Sequence, residues 1–211
     1  IHAIDRIIDK RKDAILIHNS SFMTGLYYEL SGLCQTENCL TILAALEILK
    51  NRGYEISKKD YHTGFSDLCE MTGLMGRWQK LQSYPDVICD TGHNADGFKC
   101  IRQQLNYIHN KLNQELHIVF GMVNDKDISS VLELLPKDAT YYFTKASVKR
   151  ALPEDELMKM ASEAGLKGTS YPTVADAVRA AKENCPPKDF IFVGGSNFIV
   201  ADLLANRDTL N

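Results

Sequence analysis

The chain has 211 residues, of which 45% are hydrophobic and 24% are charged, and its formal net charge at pH 7 is −3. This composition is that of a folded protein, so disordered and fibrous chains are excluded. Because the charge is nearly balanced and no apolar run approaches the roughly 20 residues that cross a bilayer, we expect neither a nucleic-acid nor a membrane partner.

The first third of the chain has an uneven pattern. Residues 1–37 show weak periodicity, within which FMTGLYYEL is predicted as a strand with a glycine kink. The next segment, CLTILAALEILK, is apolar almost all round, which is typical of a buried helix, and Gly53 after it predicts a left-handed cap. Ser57 and Asp60 form the pattern of a capping box, which predicts a short helix towards Leu68.

From residue 85 onwards, strands and helices alternate. Apolar strands are predicted at residues 86–89, 116–121, 139–144 and 189–193. The helix after the first strand carries one apolar stripe, formed by Phe98, Ile101, Leu105, Ile108 and Leu112. Uninterrupted apolar strands are buried on both faces, and right-handed crossovers make them parallel. The predicted fold class is therefore α/β, with a mostly parallel sheet and helices on both faces.

In such a sheet the site lies at the carboxyl ends of the strands. This places four loops on one edge, at residues 90–94, 122–127, 144–149 and 194–197. In the first loop Asp90 could steady a ribose hydroxyl and His93 could bind an anionic group. The alternative is a plain helix start, in which Asp90 ties the turn and Asn94 is the N-cap.

The second and fourth loops have comparable alternatives. Lys126 could meet a phosphate, whereas Asp127 could simply cap the helix that begins at Ile128. The Gly194-Gly195-Ser196 segment leaves backbone N–H groups at a helix start, where an anion can bind. It is not a P-loop, since GxxxxGK[ST] occurs nowhere in the chain.

A hydrolase triad of Asp90, His93 and Ser196 is a further alternative. Against it, Asp90 and His93 lie in one turn, and no GxSxG pattern surrounds Ser196. The cysteines form no CxxC pair and the histidines have no paired metal-ligand spacing. We therefore expect no metal site in this chain and a reducing, cytoplasmic location. The sequence contains no long apolar stripe that would indicate a protein–protein interface, so we expect a monomer.

A series of short motifs follows in order along the chain. These are QxxN at 35–38, GRWQ at 76–79, DTGHN at 90–94, DKD at 125–127, RA at 150–151 and GS at 195–196. The series resembles the C-terminal half of the bifunctional folylpolyglutamate synthase/dihydrofolate synthase family, within the Mur ligase superfamily. Two positions depart from the family pattern: Met75 replaces a Pro, and Gly92 replaces an Ala, a small-for-small change that should preserve the turn.

The resemblance implies an ATP-dependent amide ligase with Mg²⁺ as a further cofactor. A folate or pteroate carboxylate would be phosphorylated by ATP, and the amino group of glutamate would attack the acyl phosphate. Residues 76–211 would be the Rossmann-like C-terminal domain, and residues 1–75 would be the end of the central ATP-binding domain. The P-loop and the magnesium ligands would lie upstream of Ile1, so we expect this chain to be inactive alone.

The resemblance also implies roles for individual residues. The nucleotide contacts fall on Asn38, Arg77, Asp90 and Asn94. The catalytic part falls on His93 and Ser196, near the incoming glutamate, and on Lys126 and Asp127, in the cleft between the domains. A Mur peptidoglycan ligase is the nearest alternative, although the DKD and GRWQ motifs favour the folate branch. A non-catalytic ligand-binding module derived from this domain is another.

Overall fold

The computed structural model describes residues 4–5, 8–9, 12–13, 15–19, 23–124 and 127–207. The chain divides into two compact units, residues 1–77 and 78–211. In the described part of the chain, no helix combines the length and the apolar character that a membrane span requires.

The first unit contains short antiparallel strands and three helices. The strands are β1 (Ile4–Asp5), β2 (Ile8–Asp9), β3 (Lys12–Asp13), β4 (Ile15–Asn19) and β5 (Met23–Tyr28). The helices are α1 (Leu33–Asn51), α2 (Lys58–Ser66) and α3 (Leu68–Thr72). Strands β1, β4 and β5 form one sheet in that order, and β2 pairs with β3. The strand predicted in FMTGLYYEL is β5.

Helix α1 is less buried than its sequence predicts. Its only buried residues are Gln35 and Cys39, whereas Ile42, Ile48 and Leu49 are 39%, 56% and 37% exposed. The prediction of a buried helix is therefore wrong for this structure. A helix that is apolar all round needs cover on every side, and α1 has cover on one side alone within the described residues.

The ends of α1 and α2 follow the sequence signals. Gly53 has a φ of 93°, the left-handed conformation that terminates a helix. Ser57 and Asp60 form the predicted capping box, in which Asp60 N donates to Ser57 Oγ at 3.2 Å and Ser57 N donates to Asp60 Oδ2 at 2.8 Å.

The second unit is a six-stranded sheet with five helices. The strands are β6 (Gln79–Gln82), β7 (Asp86–Asp90), β8 (Leu116–Phe120), β9 (Thr140–Thr144), β10 (Lys167–Tyr171) and β11 (Phe190–Gly194). The helices are α4 (Ala95–Leu112), α5 (Ile128–Leu134), α6 (Glu154–Glu163), α7 (Val174–Asn184) and α8 (Asn197–Ala205).

The strand order is β10-β9-β8-β11-β7-β6. The four predicted strands, now β7, β8, β9 and β11, pair in parallel, which confirms the predicted sheet. The sequence did not reveal the two edge strands, β10, which is parallel, and β6, which is antiparallel. Both are polar and contain no buried residue, so neither has the apolar run by which a buried strand is recognised.

The two faces of the sheet bury alternate residues of each strand, as the strand period of two requires. On one face Ile88, Ile118, Phe143 and Phe192 pack with residues of α4, α5 and α6. On the other face Val87, Val119, Tyr142 and Val193 pack with residues of α7 and α8. The unit is therefore a three-layer α/β/α structure, which confirms the predicted fold class.

Candidate functional site

The loops after β7, β8, β9 and β11 lie on one edge of the sheet, because these strands are parallel neighbours. Strands β7 and β11 are adjacent, but the helices that follow them pack on opposite faces, α4 on one and α8 on the other. The two loops therefore lead to opposite faces of the sheet, and the space between them is the kind of crevice in which ligands bind in open α/β sheets. Residues 90–94 and 194–197 flank this crevice.

Asp90 is fixed by backbone amides at the end of β7. Its Oδ2 accepts from Trp78 N and its Oδ1 from Gly92 N, both at 2.7 Å. Trp78 has a left-handed φ of 46° and is buried. The carboxylate therefore holds together the turn after β7 and the chain entering β6, which is the structural role considered for it from the sequence.

His93 and Asn94 occupy the turn into α4. His93 is half-buried, and its Nδ1 lies 3.2 Å from the carbonyl oxygen of Thr91. Since a carbonyl can only accept, this bond requires a proton on Nδ1 and leaves Nε2 as the atom for a second partner. Asn94 is the N-cap of α4, and its Oδ1 accepts from Gly97 N at 2.9 Å. The cap predicted at Asn94 is present.

Gly92 lies at a crowded point of the same turn. A Cβ atom there would lie 2.5 Å from Ile101 Cδ1 and 3.1 Å from Asp90 Oδ1. The side chain of Ile101 therefore fills the space that an alanine in the family motif would need. In this chain the turn therefore combines the glycine at position 92 with the nearby side chain of Ile101.

Ser196 lies across the crevice as the N-cap of α8. It is 2% exposed, and its Oγ accepts from Phe198 N at 3.1 Å. The preceding Gly195 has a φ of 101°, and a Cβ atom there would lie 2.5 Å from the carbonyl oxygen of Gly121. Only a glycine combines this conformation with this close approach, so the loop after β11 packs directly on the loop after β8.

The loop after β8 contains the DKD motif. Asp127 is exposed and caps α5, with its Oδ1 accepting from Ser130 N at 3.2 Å and its Oδ2 from Ser130 Oγ at 2.6 Å. The Ser130 hydroxyl and backbone N–H hold the pKa of the Asp127 carboxyl below its ordinary value. The cap predicted at Asp127 is present. Asp125 and Lys126 lie outside the described residues, so the role of Lys126 stays a prediction.

Arg150 also belongs to this edge, although the sequence had not singled it out as a site residue. Asn124 N donates to its carbonyl at 3.0 Å, and its guanidinium carbon lies 4.7 Å from the centroid of the Phe198 ring. The signal available in the sequence was the RA pair at 150–151, but nothing there placed it beside α8.

Asn38 and Arg77 lie in the first unit. Asn38 is on the exposed side of α1, and its Nδ2 donates to Gln35 Oε1 at 3.0 Å. Arg77 is exposed. Burial raises the pKa of Tyr28 to about 12, and the positive charge of Arg77 acts in the opposite direction. Contacts of Asn38 and Arg77 with a nucleotide stay predictions.

The described residues do not contain a cluster of metal-ligating side chains. Among residues 23–124 and 127–207, and the shorter stretches described before them, no group of three or more His, Cys, Asp or Glu side chains is arranged to hold a metal ion.

Comparison with known proteins identifies similar domains. Residues 76–197 match the family described as Mur ligase, glutamate ligase domain. A dihydrofolate synthase/folylpolyglutamate synthase from Buchnera aphidicola subsp. Schizaphis graminum is 26% identical over 165 residues, or 78% of this chain. A UDP-N-acetylmuramoyl-L-alanyl-D-glutamate–2,6-diaminopimelate ligase from Buchnera aphidicola subsp. Baizongia pistaciae is 25% identical over an alignment of 218 positions that covers 98% of this chain.

A solved structure shows the same level of sequence identity as the first of these relatives. The structure of Escherichia coli FolC in complex with DHPP and ADP matches 79% of this chain with a TM-score of 0.65 and 26% identity. The matched part is 38% of the FolC chain, and 38% and 40% of the two Buchnera proteins. This chain therefore spans less than half the length of the relatives it matches.

Proposed function

The chain belongs to the family of the Mur ligase, glutamate ligase domain, and we propose that it is the C-terminal part of an ATP-dependent ligase that joins glutamate to a folate or dihydropteroate. The observation that carries the proposal is the crevice between β7 and β11, because Asp90, His93 and Ser196 from two matched motifs flank it. The similar proteins named for folate chemistry support the choice of substrate.

The proposed reaction has two steps. A carboxylate oxygen of the pteroate or folate attacks the γ-phosphorus of ATP, so that an acyl phosphate forms and ADP leaves. The amino nitrogen of glutamate then attacks the acyl carbon. The new amide bond forms as the carbon–oxygen bond to phosphate breaks, and the nitrogen loses its proton. A site for this chemistry has to orient the amine and hold the anionic ends of both reactants.

The residues beside the crevice suit the amino-acid side of this reaction. With Nδ1 bonded to Thr91, a protonated His93 would donate from Nε2 to a carboxylate of glutamate. Ser196 marks the N-terminus of α8, whose dipole favours an anion. Asp90 would fix the turn that carries His93. Asp90 and Asn94 would also contact the nucleotide.

The ATP-binding part of the proposal relies on the rest of a longer protein. No GxxxxGK[ST] pattern occurs in the 211 residues, so the triphosphate would be held by a P-loop outside them. We propose that residues 1–75 are the end of the central ATP-binding domain, contributing Asn38, and that Arg77 reaches the nucleotide from the domain boundary. Lys126 and Asp127 would contribute to the catalytic part of the site.

The second candidate is a Mur peptidoglycan ligase that adds an amino acid to a UDP-linked precursor. It is supported by the match to the diaminopimelate ligase over 98% of this chain. The two candidates share the amide-forming chemistry and differ in the substrate that carries the activated carboxylate.

An assay of the full-length protein separates the candidates. We expect ADP and phosphate to be released with dihydropteroate or tetrahydrofolate, ATP, Mg²⁺ and glutamate, and the glutamylated product to appear by mass spectrometry. The control is the same protein with a UDP-N-acetylmuramoyl peptide and diaminopimelate. Turnover with the control substrates alone would replace the first candidate by the second, and turnover with neither would reject both.

A further inference from the structure

The amino ends of four neighbouring strands frame a cavity on the edge of the sheet opposite the crevice. Lys167, Thr140 and His117 are register partners at the start of β10, β9 and β8. Asp189 directly precedes β11, the next strand in the row. These residues line a cavity of about 450 Å³, which we call the amino-edge groove. It is separate from the crevice, because the crevice lies at the carboxyl ends of the same strands.

Asp189 is a buried carboxylate at one end of the groove. It is 3% exposed and accepts one hydrogen bond, from Glu115 N at 3.0 Å. Within the described residues, no lysine or arginine forms an ion pair with it. An aspartate is rarely buried unless it is paired, since a charge that has lost its water needs a partner. A positively charged group of a ligand would supply this partner, and the Glu115 side chain, which also lines the groove, would add to the attraction.

His117 is a second buried polar group that lines the groove. Its side chain is 8% exposed, and its Nδ1 lies 3.0 Å from the Tyr142 hydroxyl oxygen. In the part of the chain that the structure describes, Nε2 has no hydrogen-bond partner. An imidazole nitrogen donates or accepts a hydrogen bond according to which nitrogen carries the proton. The floor of the groove therefore presents a carboxylate and an imidazole nitrogen to an occupant.

The opposite end of the groove is cationic. Lys137 and Lys167 both line it, and Lys137 Nζ donates to the carbonyl oxygen of Ala164 at 2.5 Å, which fixes its position. Lys167 is exposed and has no carboxylate partner among the described residues. Asp138 lies beside Lys137 and offsets one of the two positive charges. This end therefore keeps a positive formal charge and suits a carboxylate.

The two ends are separated by about the length of a dipeptide. Neighbouring strands lie roughly 4.8 Å apart, so the three spacings from β10 to β11 put about 14 Å between Lys167 and the β11 backbone. The lysine side chain reaches across part of this distance. The remainder is longer than a free α-amino acid and is comparable to the roughly 7 Å that two extended residues span.

We propose that the amino-edge groove binds a short peptide zwitterion, with its ammonium group at Asp189 and its carboxylate at Lys167. Charge-assisted hydrogen bonds at both ends would fix its direction. Leu116, Ala139 and Pro186 supply apolar surface in the same groove. None of these residues belongs to the crevice, so this binding site is independent of the proposed ligation.

Calorimetry with three matched probes tests the proposal on the full-length protein at pH 7. Glycylglycine has both charged ends, N-acetylglycylglycine lacks the ammonium group, and glycylglycinamide lacks the carboxylate. Glycylglycine is expected to bind, and each blocked probe is expected to bind about tenfold to a hundredfold more weakly, the equivalent of one charge-assisted contact.

Two variants assign the two ends of the probe. Asp189→Asn removes the charge but keeps an oxygen for Glu115 N, and it is expected to abolish the preference for glycylglycine over N-acetylglycylglycine alone. Lys167→Gln is expected to abolish the preference over glycylglycinamide alone. Both should weaken glycylglycine binding about tenfold or more. Lys159→Gln is the matched control, since Lys159 is an exposed lysine on α6, and it should bind glycylglycine like the parent.

Three results would overturn the proposal. These are no binding of glycylglycine to the parent, equal binding of the three probes, or an unchanged affinity in both Asp189→Asn and Lys167→Gln. Should Asp189→Asn unfold, the probe comparison in the parent and the Lys167→Gln variant decide. The proposed function is tested separately, by the ligation assay, so that either can fail while the other stands.

Discussion

The Asp90 carboxylate accepts two backbone N–H groups, from Trp78 and Gly92, each at 2.7 Å. In Asp90→Asn one of these N–H groups would face an NH₂ group instead of an oxygen. We expect the free energy of unfolding to fall by about 1–3 kcal/mol, the cost of an unsatisfied donor in a partly buried turn. Urea denaturation measures it. Asp86→Asn in the same strand is the control. Asp86 pairs with the half-exposed Lys80, so this variant should lower the free energy of unfolding by less than about 1 kcal/mol.

His93 and Arg77 are predicted to serve different substrates. In the full-length enzyme Arg77→Ala should lower kcat/KM for ATP about tenfold to a hundredfold, the equivalent of one charge-assisted contact. His93→Ala should raise the KM for glutamate with a much smaller effect on ATP. Steady-state kinetics with each substrate varied separates these effects. If the His93→Ala enzyme unfolds at a lower temperature and its kinetic parameters for ATP and for glutamate change equally, His93 only maintains the turn.

His117 gives the second unit a dependence on pH. Its Nδ1 lies 3.0 Å from the Tyr142 hydroxyl, and burial lowers its pKa from the ordinary value, although Asp189 and Glu115 act in the opposite direction. The unfolded chain therefore binds a proton more readily than the folded one. The contribution of neutral His117 to the free energy of unfolding is fully present above about pH 6.5, and it is lost as the pH falls through the pKa of His117 in the folded state.

Urea midpoints at pH 7.5 and pH 5.5 test this prediction. The parent should lose stability between the two values, and His117→Gln should lose less. His62→Gln removes an exposed histidine and should behave like the parent. An equal loss in His117→Gln and the parent would assign the pH dependence to other groups.

At the scale of elements, the sequence predicted those whose signals are local. The stripe of α4 is buried at Phe98, Ile101, Leu105 and Ile108, as predicted. Leu112, the last residue of the stripe, is 53% exposed because the helix ends there. Caps are equally local, since each depends on a side chain and an N–H group two or three residues away. The Ser57–Asp60 capping box could therefore be predicted from the sequence.

Features that depend on distant parts of the chain could not be predicted. The polar edge strands β6 and β10 are strands only because neighbours offer them hydrogen bonds. The exposure of α1 depends on what covers it, which its own pattern does not encode. In the site, the bonds of Asp90 to Trp78 and the stacking of Arg150 on Phe198 join segments that no motif spacing relates.

The junction between β11 and α8 provides a prediction at the same scale. Gly195→Ala would place a side chain at a φ of 101° and 2.5 Å from a backbone oxygen of Gly121. We expect the free energy of unfolding to fall by more than the roughly 1–3 kcal/mol that a strained backbone costs by itself. Gly165→Ala is the matched control, since Gly165 has a φ of 82° with nothing within 4 Å of the added atom. Equal losses in thermal unfolding would show that the contact with Gly121 contributes nothing.

At the scale of the whole molecule, the 211-residue chain lacks a P-loop pattern. We therefore predict that the isolated chain binds ATP weakly or not at all and does not ligate glutamate. Isothermal calorimetry with ATP, in the presence and absence of Mg²⁺, measures this directly, and the full-length protein is the control. Tight, magnesium-dependent binding by the isolated chain would contradict the assignment of residues 1–75 to the end of a larger ATP-binding domain.

The position of β11 between β7 and β8 joins parts of the chain that are far apart in the sequence. Asp86 in β7 pairs with Phe190 in β11, roughly 100 residues further along the chain, and pairings of such high contact order form slowly. Until β11 inserts, β7 and β8 have no common neighbour, and the two loops that flank the crevice are not yet opposite each other. A folding intermediate that contains every helix but not this strand would have a nearly complete second unit and no binding site.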